Sequence, residues 1–195
     1  QRLIRTFAEH SGSVGAVAIT PDGKYVLSAS GDATLKLWAI TAGQEIRTFR
    51  GHTEYITVIA ITHDGKLAVS GSQDKTLKIW DIKTGKEIRT FAGHAGNIGA
   101  VVISPDSRQI LSESVGDHVL TLKLWEILTG EEIKTVEMNT DRVTAVAISP
   151  DGRFVITGKM RFNTLTLWEI ATGKEVRAFD GHTDRVTSIV ISPDG

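Results

Sequence analysis

The chain has 195 residues, 41% apolar and 23% charged, which is ordinary for a globular protein and enough to bury a core. Its 22 basic and 23 acidic residues are interspersed and sum to a net charge of -1, so the sequence shows no basic footprint for nucleic acid or anionic lipid. Cysteine is absent, which excludes disulfides and thiolate metal sites, and no apolar run approaches the ~20 residues of a membrane-spanning helix. These features fit a reducing compartment, cytoplasmic by default. The opening Gln1-Arg2-Leu3-Ile4-Arg5 is neither a signal peptide nor a start at Met, so a cut or partial chain is expected.

In chain order, residues 1–6 have the character of an outer strand, and one unit is then written four times. Units of about 7–48, 49–90, 91–135 and 136–178 are centred on Trp38, Trp80, Trp125 and Trp168, spaced 42, 45 and 43 residues apart. The first unit holds the turns Pro21-Asp22-Gly23 and Thr41-Ala42-Gly43; the second, His63-Asp64-Gly65 and Thr84-Gly85-Lys86. The third holds Pro105-Asp106-Ser107 and Thr129-Gly130-Glu131; the fourth, Pro150-Asp151-Gly152 and Thr172-Gly173-Lys174. Residues 179–195 restart the pattern and stop at Pro193-Asp194-Gly195. Runs of Val, Ile, Leu, Thr and aromatic residues separate the turns and lack a helical period, which predicts four strands per unit. In the second unit they are expected at about Ile56 to Ile61, Leu67 to Ser72, Thr76 to Trp80 and Glu87 to Phe91. The first is apolar on both sides and is expected to be buried on both faces. The fourth alternates charge with apolar residues, as a wet edge strand does.

The stretch from Gly51-His52 through Ser70-Gly71-Ser72-Gln73-Asp74 to Lys78-Ile79-Trp80-Asp81 resembles a WD repeat, and the resemblance extends over all 195 residues. It implies an all-β propeller of four-stranded antiparallel blades, with four complete blades and parts of two flanking ones, and sequence repeats offset from the blades. It also implies structural tetrads of His, Ser or Thr, Asp and Trp: His10, Ser28, Asp32 and Trp38; His52, Ser70, Asp74 and Trp80; His94, Ser112, Asp117 and Trp125. Buried polar groups satisfied by one another outweigh a metal or catalytic role for these histidines. His182 is the equivalent histidine of the restarting fifth unit.

The fourth unit has Met138-Asn139 where Gly-His is expected and no Asp in Lys159-Met160-Arg161-Phe162-Asn163. Losing both partners together avoids a buried, unpaired charge. Trp168 and Thr157 remain. The third unit carries three extra residues within Val115 to Leu120, expected as a surface insertion.

Ser72-Gln73-Asp74-Lys75 and Lys83-Thr84-Gly85 match penicillin-recognising serine enzymes by chance, since neither lies on the helix and strand that chemistry needs. No phosphate loop, dinucleotide fingerprint, zinc-protease helix or nucleophile elbow occurs. No enzyme activity, metal or cofactor is therefore expected. Specificity is sought where residues vary on a fixed scaffold: three positions after each repeat histidine or its equivalent stand Ser13, Tyr55, Asn97, Arg142 and Arg185. Gln73, Arg161 and Phe162 fall on the same expected face. The expected function is a protein-interaction scaffold, the sensor or assembly region of a larger chain, binding protein or peptide rather than nucleic acid or membrane. The alternatives are a propeller that completes its ring by self-association and, third, an enzyme with a propeller active site. The four blades are expected to be an incomplete ring, with further blades supplied by the same chain or another copy.

Overall fold

The computed structural model describes residues 6–104, 106–116, 119–139, 143–159 and 164–192. Two compact units divide the chain, residues 1–93 and 94–195. The first contains two antiparallel sheets. Strands β1 (Val14–Ile19), β2 (Tyr25–Ser30), β3 (Thr34–Ala39) and β4 (Glu45–Arg50) pair in sequence order, as do β5 (Ile56–Ile61), β6 (Leu67–Ser72), β7 (Leu77–Asp81) and β8 (Glu87–Phe91). The second unit repeats the arrangement with β9 (Asn97–Ile103), β10 (Gln109–Gly116), β11 (Val119–Glu126) and β12 (Glu132–Asn139), then β13 (Val143–Ile148), β14 (Phe154–Lys159), β15 (Leu165–Glu169) and β16 (Lys174–Phe179).

The turn chemistry that punctuates the sequence fixes this meander. After β1, Thr20 Oγ1 donates to Asp22 Oδ1 and the Gly23 amide closes the turn on the Thr20 carbonyl, with Gly23 at φ 69°. The same turn follows β5, β9 and β13; in the third sheet Ser107 takes the left-handed position at φ 57°, where a side chain is normally disfavoured. Between third and fourth strands each sheet carries a bulge at its tryptophan, as between Leu37 and Trp38. The bulge twists the outer strand locally.

In the first unit, Leu27, Ala29, Leu35 and Leu37 of the first sheet form a core with Ile56, Trp80 and Ile82 of the second, and Ile59 and Ile61 pack against it. In the second unit, Leu111, Leu120 and Leu122 pack with Ile148, Val155, Trp168 and Ile170. The expectation that first strands are buried on both faces is corrected here: β5 is only half-buried beyond Ile56, and in β1 Val17 and Ile19 are 66% and 62% exposed. Their equivalents Ile59 and Ile61 are covered by the first sheet, whereas no described residue covers that side of β1.

Candidate functional site

An indole N–H only donates and a carboxylate only accepts, and these two facts give direction to the polar cluster in each sheet of the first unit. In the second sheet Trp80 Nε1–H donates to Ser70 Oγ at 2.8 Å, the Ser70 hydroxyl donates to His52 Nε2 at 2.8 Å, and His52 Nδ1–H donates to Asp74 Oδ2 at 2.6 Å. Asp74 also accepts from the Thr53 and Thr76 amides and the Thr76 hydroxyl. The first sheet repeats the relay through Trp38, Ser28, His10 and Asp32, with spans of 2.8, 2.8 and 2.9 Å. Burial drives the His52 pKa down against the pull of Asp74 and keeps the ring neutral. For Asp74 burial opposes ionisation, but hydrogen bonds from Thr76 and His52 outweigh it and hold the carboxyl below its ordinary value.

The third sheet brings a serine to the expected set. Trp125 and Ser112 meet, and Ser112 meets His94 Nε2, but the described partner of His94 Nδ1 is Ser114 Oγ at 2.7 Å. The extra residues lengthen the β10–β11 ladder through Val115–Leu120 and Gly116–Val119. In the first two sheets Ser30 and Ser72 instead accept the amides of Asp32 and Asp74 within a tight turn. Extending the hairpin removes that turn from the level of the histidine and frees Ser114 to face it. Burial lowers the His94 pKa to about 4. Asp117 lies outside the described residues. In the fourth sheet, Trp168 donates to Thr157 Oγ1 at 2.9 Å.

A second polar cluster escapes the sequence pattern as read above. Lys36, Lys78 and Lys123, two residues before each tryptophan, are buried, and each ammonium donates to a glutamate and a threonine of the outer strand: Glu45 and Thr48, Glu87 and Thr90, Glu132 and Thr135. Lys36 and Lys123 also lie over the faces of Trp38 and Trp125, at 5.9 and 5.7 Å from the ring centroids. The signal is present at fixed offsets, but alternating charge in an outer strand reads as a solvated edge. In the fourth sheet Thr166 and Ala178 replace the Lys and Thr. Thr166 Oγ1 is buried with no hydrogen-bond partner among the described residues. Thr166→Val, which keeps the shape, is therefore expected to stabilise the chain by about 1 kcal/mol, read as a raised urea midpoint.

Among the candidate partner-binding residues, Tyr55 and Gln73 are brought together, the Gln73 amide donating to the Tyr55 carbonyl at 2.9 Å. Asn97 is exposed at the start of β9, Ser13 is exposed before β1, and Arg185 is exposed. Tyr55 is only half-exposed: its ring lies against Gly15 and Gly31, and a methyl group added at Gly15 would stand 2.2 Å from the phenolic oxygen. Alanine at Tyr55 would thus remove packing as well as a surface group. Arg142, Arg161 and Phe162 lie outside the described residues. Among the described residues no group of three or more His, Cys, Asp or Glu side chains converges as a metal would require.

Four-stranded antiparallel sheets, each with an inner tryptophan tied to a second-strand hydroxyl, are the blades of a propeller-type repeat protein. The family model described as "WD domain, G-beta repeat" matches residues 1–39, 43–81, 85–126, 130–168 and 173–195, and the chain belongs to the WD40 repeat family. Each internal match runs from an outer strand into the first three strands of the next sheet, as 43–81 does from β4 to β7. No curated protein matches the chain. WD40 repeats generally mediate protein–protein interaction or scaffolding and are typically non-catalytic.

Proposed function

We propose that this chain is a non-catalytic interaction scaffold, the sensor or assembly region of a larger protein, which takes a protein or peptide through the variable loop positions of its sheets: Ser13, Tyr55 and Gln73 in the first unit, Asn97 and Arg185 in the second. No cofactor enters this function, the partner is neither nucleic acid nor membrane, and the setting is cytoplasmic. The observation that carries the reading is chemical variation at one repeated position: Ser13, Tyr55 and Asn97 follow equivalent histidines, and those histidines are committed to internal hydrogen bonds. Groups satisfied inside the sheets are spent on folding, so recognition falls to the side chains that differ around them.

A displayed peptide library selected on the whole chain tests this. Selected peptides are expected to lose at least tenfold in affinity on Gln73→Ala or Asn97→Ala and to keep it on Lys24→Ala or Lys66→Ala in the opposite turns. The reverse pattern would place recognition on the other face.

Self-association is favoured as a second reading by one feature. Val14, Val17 and Ile19 of β1 are exposed, while their equivalents Ile56, Ile59 and Ile61 are packed against a neighbouring sheet. That face suits a further four-stranded sheet, from the same polypeptide or another copy, because an open apolar strand face is an aggregation hazard. Light scattering over a dilution series separates the cases: a concentration-dependent mass supports association, and a constant monomer mass excludes it.

A further inference from the structure

Glu113 occupies the place in β10 that Ala29 holds in β2, Gly71 in β6 and Gly158 in β14. It is 1% exposed, and its Oε1 has no hydrogen-bond partner among the described residues. The side chain fits because β9 has a glycine opposite: a methyl group on Gly99 would stand 2.6 Å from Glu113 Oε2. In the first unit the equivalent space at Gly15 is taken by the Tyr55 ring. Ala100 and Leu122 are the cross-strand neighbours of Glu113. Side chains alternate along a strand, so Leu111 shares its face, the face that packs against Ile148 and Val155 of the fourth sheet. No described titratable group meets the carboxyl from β9, β11, β13 or β14. His94 bonds to Ser112 and Ser114, and Lys123 to Glu132 and Thr135, all on the opposite face.

We propose that Glu113 is a proton-operated latch within the second unit: protonated, it lets the third sheet close on the apolar cluster shared with the fourth; when it gives its proton to water, the carboxylate leaves the Gly99 niche and that packing loosens. An unpaired carboxylate cannot stay in an apolar seam at tolerable cost, whereas the neutral acid can. Burial alone pushes its pKa from 4.5 up to about 8, which places the change near neutral pH. The folded chain then holds a proton that the unfolded chain releases, so stability falls as pH rises from about 4.5 to 8. His94 acts in the opposite direction, because its folded pKa is depressed to about 4 and protonation favours the unfolded chain below its usual value of 6.5. Between about pH 6.5 and 8 the Glu113 effect therefore stands clear of His94.

The test uses the whole chain, comparing wild type with Glu113→Gln, by urea unfolding and by hydrogen exchange of peptides covering β9 and β10, from pH 6.5 to 8.5. The wild-type unfolding constant is expected to rise about tenfold per pH unit up to about pH 8, with β9 and β10 exchanging faster than the intrinsic rate accounts for. Glu113→Gln is expected to flatten both. Equal slopes in the two proteins would overturn the proposal. Should the variant fail to fold, isotope-edited infrared spectra of the wild type decide: a protonated-carboxyl band in the folded protein at pH 6.5 that vanishes above pH 8 supports the latch, and absence of that band at pH 6.5 overturns it.

Discussion

Replacing Lys36 with methionine is expected to cost about 3 kcal/mol, the low end for breaking a buried ion pair. Methionine fills the space of the lysine stem, so the loss isolates the ammonium. Glu45 and Thr48 would then face each other without the cation, and Trp38 would lose the charge over its ring. The figure stays at the low end because the Glu45 side chain remains 21% exposed and recovers part of its hydration. The fourth sheet suggests the companion experiment. There Lys and Thr are both gone, as Thr166 and Ala178, so Lys36→Thr combined with Thr48→Ala is expected to cost less than the sum of the single changes. Urea midpoints of the four proteins in this cycle give the coupling; strict additivity would show that the cluster does not act as a unit.

Asp74→Ala is expected to cost about 1 to 3 kcal/mol, toward the upper end. The reason lies in the number of orphaned donors: His52 Nδ1–H, the Thr53 and Thr76 amides and the Thr76 hydroxyl all converge on this carboxylate. Glu54→Ala, at an exposed side chain in the same unit, is expected to leave the midpoint unchanged. The pH dependence has a defined sign. His52 has a depressed folded pKa, so its contribution is present above its ordinary pKa of about 6.5 and is lost as pH falls below it. Asp74 is also depressed, and its contribution is present above about pH 4 and lost on further acidification. Stability of the first unit therefore declines in two acid steps, and Asp74→Ala shrinks the lower one, to which Asp32 and Asp64 also contribute. Equal midpoints for Asp74→Ala and Glu54→Ala would remove the structural assignment.

The strand order and the first two relays were legible because period, turn chemistry and hydrogen-bonding residues all repeat in register, and consistency across levels specifies a fold. In the third relay the Ser114 contact was not: three extra residues extend a ladder and bring Ser114 to the histidine, while Asp117 lies outside the described residues. Whether an insertion bulges outward or lengthens a hairpin depends on pairing between strands, which a single column of residues does not carry. The buried lysines were hidden by the same limitation, since Glu45, Glu87 and Glu132 have the composition of a wet edge and turn to an ammonium only once the neighbouring strand is placed. Tyr55 reads as a surface aromatic until Gly15 and Gly31 are seen beneath it. Glu113 looks like one more charge in a strand until Ala29, Gly71 and Gly158 show that its column is small and buried.

His10, His52 and His94 are locked structural members, with both ring nitrogens of each engaged inside its sheet. Nitrogen-15 spectra of the histidine rings, recorded from pH 8 to 5 with and without added zinc, test this most directly. His52 is expected to keep its proton on Nδ1 and to stay neutral below the ordinary histidine value, His94 to stay neutral down to about pH 4, and both to ignore zinc. A His52 ring that carries its proton on Nε2, or either ring titrating at the ordinary histidine value or shifting with the metal, would contradict this and reopen a catalytic or metal role for these residues.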